Sequence, residues 1–248
     1  MIEAIQARLA AQPGHGPKYQ MLRDAIVGAI SGGDWTPGMR LPTEAEFAEL
    51  LPYSLGTVQK AYGELVKNGL VVRSRGRGSF VAPAQRQMSD PWHCRFLDDN
   101  DQILPIYPRL LGHKVAMEDR RWAELFGKKV KVVRIDRAIS INGEFEIISR
   151  FFTSSAIARP LVRLPRNTIE TANFKAVLLK EIGMPISRIT QTIELAGKRV
   201  RRALAIRPRP QLVMKATAYT AGGDVAYVQE FYIPQNKRRL LFDSELRY

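Results

Sequence analysis

Little in this chain suits it to a disulfide scaffold, a membrane span or a metal centre. Among 248 residues there is one cysteine, Cys94, so neither an internal disulfide framework nor a multi-cysteine zinc site can form. The three histidines, His15, His93 and His113, lack the spacing of a metal-ligand helix, and no metal or cofactor is expected. No run approaches the ~18 uninterrupted apolar residues that span a bilayer. The opening MIEAIQARLAAQ carries Glu3 and Arg8 within its apolar pattern, unlike the ordered regions of a signal peptide. A cytoplasmic protein with no membrane partner is the expectation. There is no Gly-x-Ser-x-Gly elbow and no phosphate-cradling glycine loop, which removes two common enzyme classes.

Positive charge, in contrast, is in excess: 38 Lys+Arg against 24 Asp+Glu give a net of +14, pointing to a polyanionic or acidic partner. Its distribution limits that inference. Residues 1–83 hold nine basic and seven acidic side chains, and residues 84–248 hold 29 and 17. Overall basicity therefore cannot single out the N-terminal part as a nucleic-acid binder; pattern has to do so.

That pattern is present. Ile2, Ile5 and Leu9 share one face of a short helix, broken by Pro13-Gly14-His15-Gly16-Pro17. Tyr19, Leu22, Ile26, Ala29 and Ile30 recur at three- and four-residue spacing and predict an amphipathic helix ended by Gly32-Gly33. Thr43-Glu44-Ala45-Glu46 is a capping box opening a short helix that Pro52 stops near Leu51. Ser54 can cap the next helix, whose Val58, Ala61, Tyr62, Leu65 and Val66 form one buried stripe before Asn68-Gly69 closes it. Leu70–Arg73 and Ser79–Val81 then flank the glycine-rich centre Ser74-Arg75-Gly76-Arg77-Gly78, a hairpin. Helix, short helix, tight break, helix and hairpin make a winged helix-turn-helix over residues 1–83. Residues 84–90 read as a linker.

The remainder, 91–248, is of another kind. Lys129–Ile141 and Phe145–Phe152 flank the hairpin turn Asn142-Gly143. Thr171–Ile182 reads as a helix and Ile186–Leu195 as a half-buried strand. Leu212–Tyr219 and Val225–Ile233 form a second hairpin. Strands joined mostly by hairpins, with a few helices, predict an α+β domain with an antiparallel sheet.

A major groove admits one α-helix, so the second helix of the pair has to offer short polar residues near its N-terminus. Leu55, Gly56, Thr57, Gln59 and Lys60 face away from the buried stripe. Thr57 suits a phosphate, Gln59 a base edge (adenine matches best), and Lys60 a phosphate or guanine. The helix N-terminal amides add an anion site, and the cap hydroxyls Thr43 and Ser54 join the DNA-binding set. In the wing, Arg73, Arg75 and Arg77 surround Gly76, whose lack of a side chain lets backbone approach a minor groove. Alone, these arginines would read as a hairpin edge protected by charge; after the helix pair they read as a DNA contact.

Residues 17–82 resemble the GntR-type winged helix-turn-helix of bacterial transcription regulators. The matching run is Pro17-Lys18-Tyr19, Gly32/Gly33, Pro37 to Glu44, Thr57-Val58, Leu65, Asn68-Gly69-Leu70 and Gly76 to Val81. The resemblance implies arginines at three DNA-facing positions where this chain has Ala45, Leu55 and Gln59, so a different half-site is expected. Residues 91–248 resemble the UTRA effector-binding domain of the HutC-like branch, whose fold is similar to chorismate lyase. That match rests on Arg134-Ile135-Asp136-Arg137, Asn142-Gly143-Glu144, Phe174 to Gly183, Ala203-Leu204 before Leu212-Val213, and Gly223 through Tyr232. In that branch an Arg-x-Arg run and two glutamates line the effector pocket; here Arg137 persists, and Ile139, Ser149 and Ala226 replace the others.

Arg137 is thus the leading effector candidate, since a guanidinium can hold a carboxylate or phosphate bidentately. Arg134, Ser149, Arg150, Tyr107, Tyr227 and Glu230 are secondary candidates, each with a plain structural alternative. Lys198-Arg199-Val200-Arg201-Arg202 reads as a solvated helix face. The resulting expectation is a ligand-responsive repressor that binds a double-stranded operator as a homodimer and responds to a small carboxylate or phosphate. Two other readings remain open: an enzyme built on the α+β domain, against which the lack of any acid/base constellation argues (Cys94, taken with His113, reads as an inert thiol), and a sequence-indifferent DNA-coating protein.

Overall fold

At Thr43 the capping box closes as its pattern requires: the Thr43 N–H donates to Glu46 Oε2 at 2.6 Å and the Glu46 N–H to Thr43 Oγ1 at 3.2 Å. The Thr43 backbone N–H, and after it the Thr43 side chain, hold the Glu46 carboxyl below its usual range. The computed structural model describes residues 2–11, 16–82, 93–116, 124–127, 130–197 and 209–242. The expected linker at 84–90, His15, the run Lys198 to Arg202 and the His113 side chain lie outside what it describes. Two compact units divide the chain, one built on Met1–Ser89 and the other starting at Asp90.

The first unit runs α1 (Ile2–Ala11), α2 (Lys18–Ser31), α3 (Glu44–Leu50), α4 (Leu55–Lys67), β1 (Val71–Ser74) and β2 (Gly78–Val81). Both α2 and α3 pack on α4. Leu22, Ile26, Phe47, Val58, Ala61, Tyr62 and Leu65 are buried there. Phe47 stacks edge-on against Trp35 and Tyr62, with centroids 6.1 and 5.7 Å away. The Tyr62 hydroxyl donates to the Pro42 carbonyl at 2.6 Å, tying α4 to the segment that leads into α3. β1 and β2 pair antiparallel, and Met39–Leu41 adds a third short stretch: Leu41 N–H donates to Ser79 O and Val81 N–H to Met39 O.

The second unit holds β3 (Arg95–Leu97), β4 (Ile106–Ala116), β5 (Val132–Ile141), β6 (Phe145–Ser154), α5 (Ser155–Arg163), α6 (Arg166–Thr171), α7 (Phe174–Ile182), β7 (Ile186–Leu195), β8 (Pro210–Thr220), β9 (Val225–Pro234) and β10 (Arg239–Leu241). β3 pairs with β10, and the other six strands form one antiparallel sheet in the order β4-β5-β6-β9-β8-β7. The architecture is α+β. One face of the sheet carries Val133, Ile135, Phe151, Ala218 and Tyr227, covered by Ala158, Leu161, Ile169, Phe174 and Leu178 of the three helices.

Several elements differ from the sequence reading: α5, α6, β3 and β10 carry no pattern that it picked up, and two more differ for identifiable reasons. The helix expected from Thr171 starts at Phe174, because Asn173 Oδ1 accepts from the Ala176 N–H at 3.3 Å and resets the cap; Thr171 ends α6 instead. β4 went unread because Pro108 and a register shift between Leu110 and Gly112 interrupt its alternation. Among the described residues no helix is long and apolar enough to cross a membrane.

Candidate nucleic-acid interface and ligand face

α4 begins where Ser54 Oγ accepts from the Thr57 N–H at 3.3 Å, with the two hydroxyl oxygens 3.0 Å apart. The buried stripe leaves Leu55, Gly56, Gln59 and Lys60 exposed on the opposite face, Leu55 at 45%. A single exposed leucine in the first turn is ordinary for a protein surface and by itself says nothing of a partner. A Cβ placed on Gly56 would meet nothing of the chain within 4 Å; no internal packing demands the glycine. Lys60 is less free than its sequence suggests, since its Nζ lies 3.9 Å from the Tyr19 ring centroid.

The wing arginines separate into different environments. Arg73 Nη2 bonds Glu44 Oε1 of α3 at 2.6 Å. Arg77 sits 5.9 Å from the Phe80 ring. Arg75 is exposed and has no partner among the described residues. Between Arg75 and Arg77, Gly76 takes φ +73°, which a side-chain-bearing residue adopts only at a cost. Thr43 is committed to its capping box and stays exposed beside Glu44.

In the second unit the seven ligand candidates do not converge. Strand register pairs Arg137 with Ser149, Ile135 with Phe151 and Phe151 with Gln229, so Arg137, Ser149 and Tyr227 share the helix-covered face. Arg134, Arg150, Glu230 and Tyr107 point to the other side. There Arg134 Nη2 lies 2.6 Å and Arg150 Nε 3.9 Å from the Asp136 carboxylate. Glu230 accepts from the Tyr232 hydroxyl at 2.6 Å. Cations and carboxylates are matched on that side. The correction was available in the sequence: Arg134 and Arg137 are an odd number of residues apart in one strand, as are Ser149 and Arg150, so each pair has to straddle the sheet.

Arg137 is different. It is 3% exposed, its Nη1 donates to the carbonyls of Ala172 at 2.9 Å and Glu170 at 3.3 Å, and its guanidinium lies 4.0 Å over the Phe174 ring. Its Nε is buried with no acceptor, and among the described residues no carboxylate pairs with it. Burial pulls its pKa down to about 9, which leaves it cationic at neutral pH. An uncompensated buried cation is costly, and an anion seated against it would relieve that cost.

Sequence reasoning passed over three neighbours on the same face. Gln229 Nε2 donates to Ser149 Oγ at 2.7 Å. His93, 7% exposed, sets Nε2 3.3 Å from the Tyr227 hydroxyl and Nδ1 3.3 Å from Gln191 Nε2, with its ring edge-on to Phe231. Desolvation, reinforced by Lys175 and Arg95, lowers the His93 pKa to about 4, so the ring is neutral. The period-two pattern of β7 and β9 could have revealed Gln191 and Gln229 as polar residues on the helix-covered face; His93 had no local signal. Cys94 is buried and its thiol is pushed well up, which makes it a poor nucleophile. Among the described residues no cluster of His, Cys, Asp or Glu could hold a metal ion.

Comparison with known proteins bears on the first unit most directly. The histidine utilization repressor of Pseudomonas putida is 41% identical over 76 residues, which make up 30% of this chain and 31% of that protein. The match therefore spans about a third of that relative's length. The HTH-type transcriptional repressor NagR of Bacillus subtilis is 26% identical over 220 residues, 84% of this chain and 86% of that one. Among solved structures, PhnF from Mycobacterium smegmatis is similar with a TM-score of 0.44 and 19% identity, over 87% of this chain and 93% of that one. The model for bacterial regulatory proteins of the gntR family matches residues 18–81. Those residues hold the α2–α4 helices and the wing described above, so the first unit is similar to the gntR family of bacterial regulatory proteins over that stretch.

Proposed function

We propose that this chain is a sequence-specific, ligand-responsive DNA-binding transcription regulator of the cytoplasm, acting as a repressor. The observation that carries the reading is the exposed first half of α4, where Gly56 and Gln59 stand clear of the chain beside a wing whose Arg75 is unengaged. Relatives over the N-terminal third and over most of the chain are named as repressors, which supports the direction of control. A homodimer would set two copies of α4 in successive major grooves, ~34 Å apart, on a near-palindromic operator. The second unit, as a UTRA-like domain, would take a small carboxylate or phosphate at Arg137. Such a ligand shifts the protein between arrangements only if it binds them unequally.

Selection of operator sequences from a random DNA pool tests this reading. The parent is expected to enrich a two-fold-related motif, and Gln59→Ala to lose preference at one position per half-site, worth ~1–3 kcal/mol. Equal affinity for random and selected DNA at physiological salt would instead favour a DNA-coating protein.

A further inference from the structure

The two edges of the six-stranded sheet are finished differently. On β4 the backbone of Leu110 is taken up by side chains of the helical layer: its N–H donates to Glu170 Oε1 at 3.0 Å and its carbonyl accepts from Arg166 Nη2 at 2.7 Å. Along β7 no described residue does the same. From Ser187 onward every side chain is exposed or half-buried, with Ile193 at 47% and Leu195 at 78%. The strand is 10 residues long and contains no proline. A free edge of that length is a template for another strand unless something blunts it.

The order of side chains along β7 says which strand fits. Pairing with β8 sets Ile189 opposite Ala218, Gln191 opposite Ala216 and Ile193 opposite Met214, on the helix-covered face. Arg188, Thr190, Thr192 and Glu194 therefore lie on the other face. If a second copy of β7 runs antiparallel about a two-fold axis normal to the sheet, the faces stay continuous only in registers centred on a residue. The register centred on Gln191 places Arg188 against Glu194, Ile189 against Ile193 and Thr190 against Thr192, each twice by symmetry. Moving the axis to Thr190 sets Arg188 against Thr192 and Ile189 against Gln191. Moving it to Thr192 sets Thr190 against Glu194 and Gln191 against Ile193. The register at Thr192 also joins Ile189 to Leu195, but only the central register pairs opposite charges together with an apolar pair, the combinations that stabilise cross-strand neighbours.

We propose that β7 is the homodimer seam, joining two copies antiparallel about Gln191 into one continuous sheet. This rests on the homodimer reading above. Sedimentation velocity on the full chain tests it through charge reversal. Arg188→Glu alone and Glu194→Arg alone each turn both ion pairs repulsive and are expected to weaken the dimer about tenfold or more. The double variant R188E/E194R restores the pairs in swapped sense and is expected to recover the parent's dimer. That recovery also separates the seam from the stacking of Arg188 on Tyr219 at 4.1 Å. Under mild oxidation Gln191→Cys is expected to give a disulfide-linked dimer, because residue 191 faces itself across the axis. Thr190→Cys is not, since its copies stand beyond disulfide reach. A parent chain that sediments as a monomer overturns the homodimer reading together with the seam. A dimer indifferent to both reversals, or linked through 190 and not 191, overturns the seam and leaves the homodimer standing.

Discussion

Arg73 of the wing reaches Glu44 at the start of α3 with a 2.6 Å ion pair, while Arg75, two residues further along the hairpin, stands unpaired among the described residues. The two arginines are thus expected to fail differently. Arg75→Ala should weaken binding to all DNA sequences and lower the salt slope of log affinity by about 1, as loss of one phosphate contact does. Arg73→Ala removes an exposed ion pair worth about 0–1 kcal/mol and should act mainly on thermal stability. Anisotropy titrations of labelled operator at several salt concentrations, beside melting curves, separate the two. Equal salt slopes for Arg75→Ala and the parent would mean that the wing tip does not touch phosphate.

Gly56 gives a prediction in which stability and function move oppositely. Its Cβ position is open and it lies within the first turn of α4, so Gly56→Ala should stabilise the free protein by about 0.4–1 kcal/mol through a less flexible unfolded chain. If α4 enters the groove with its backbone near DNA, the same methyl group meets the duplex and operator affinity falls. A raised melting temperature with weaker operator binding is the expected pair of results. Unchanged affinity would place the DNA elsewhere on α4.

How much of this was legible beforehand follows from the range of the interactions. The Thr43 box, the Ser54 cap and the Gly76 turn are settled within a few residues, and local pattern sufficed for them. Strand β7 is legible with its exact limits because β-branched residues (Ile186, Ile189, Thr190, Thr192, Ile193) crowd it, although a register shift follows Ile186 and most of its side chains are exposed. The ligand face was not legible in the same way. Arg137 acquires its setting from Phe174, Ala172 and Glu170, more than thirty residues away in sequence, and His93 from Tyr227 and Gln191, about a hundred or more away. Parity within each strand, however, was enough to divide Arg134 from Arg137.

Arg137→Met replaces a buried, acid-less guanidinium with an apolar chain of similar length. Exchanges of this kind are often neutral or stabilising, while the carbonyls of Ala172 and Glu170 lose a donor, at about 1 kcal/mol each. The ligand-free protein is therefore expected to melt within a few degrees of the parent. Its response to small carboxylates and phosphates should disappear. A thermal-shift screen of the full chain measures both quantities, since a ligand bound only by the native state raises the melting temperature. Collapse of the ligand-free variant would make Arg137 a structural residue, and a persisting ligand shift would put the anion elsewhere.

His93 makes stability depend on acidity in a defined window. Its folded pKa, about 4, lies below the ordinary histidine value of 6.5 because burial disfavours the charged ring. Between those values the unfolded chain binds a proton that the folded chain refuses, so lowering the pH favours unfolding. The contribution is fully present above pH 6.5 and drains away as pH falls toward 4, up to about 3 kcal/mol in total. His93→Gln keeps a polar group opposite the Tyr227 hydroxyl and Gln191 without a titrating ring. Its melting temperature at pH 7 should be lower, from imperfect packing, but its decline between pH 6.5 and 4 should be shallower than the parent's. Parallel declines for the two proteins would show that His93 takes up its proton equally in the folded and unfolded chains, and that its bonds to Tyr227 and Gln191 do not depend on a neutral ring.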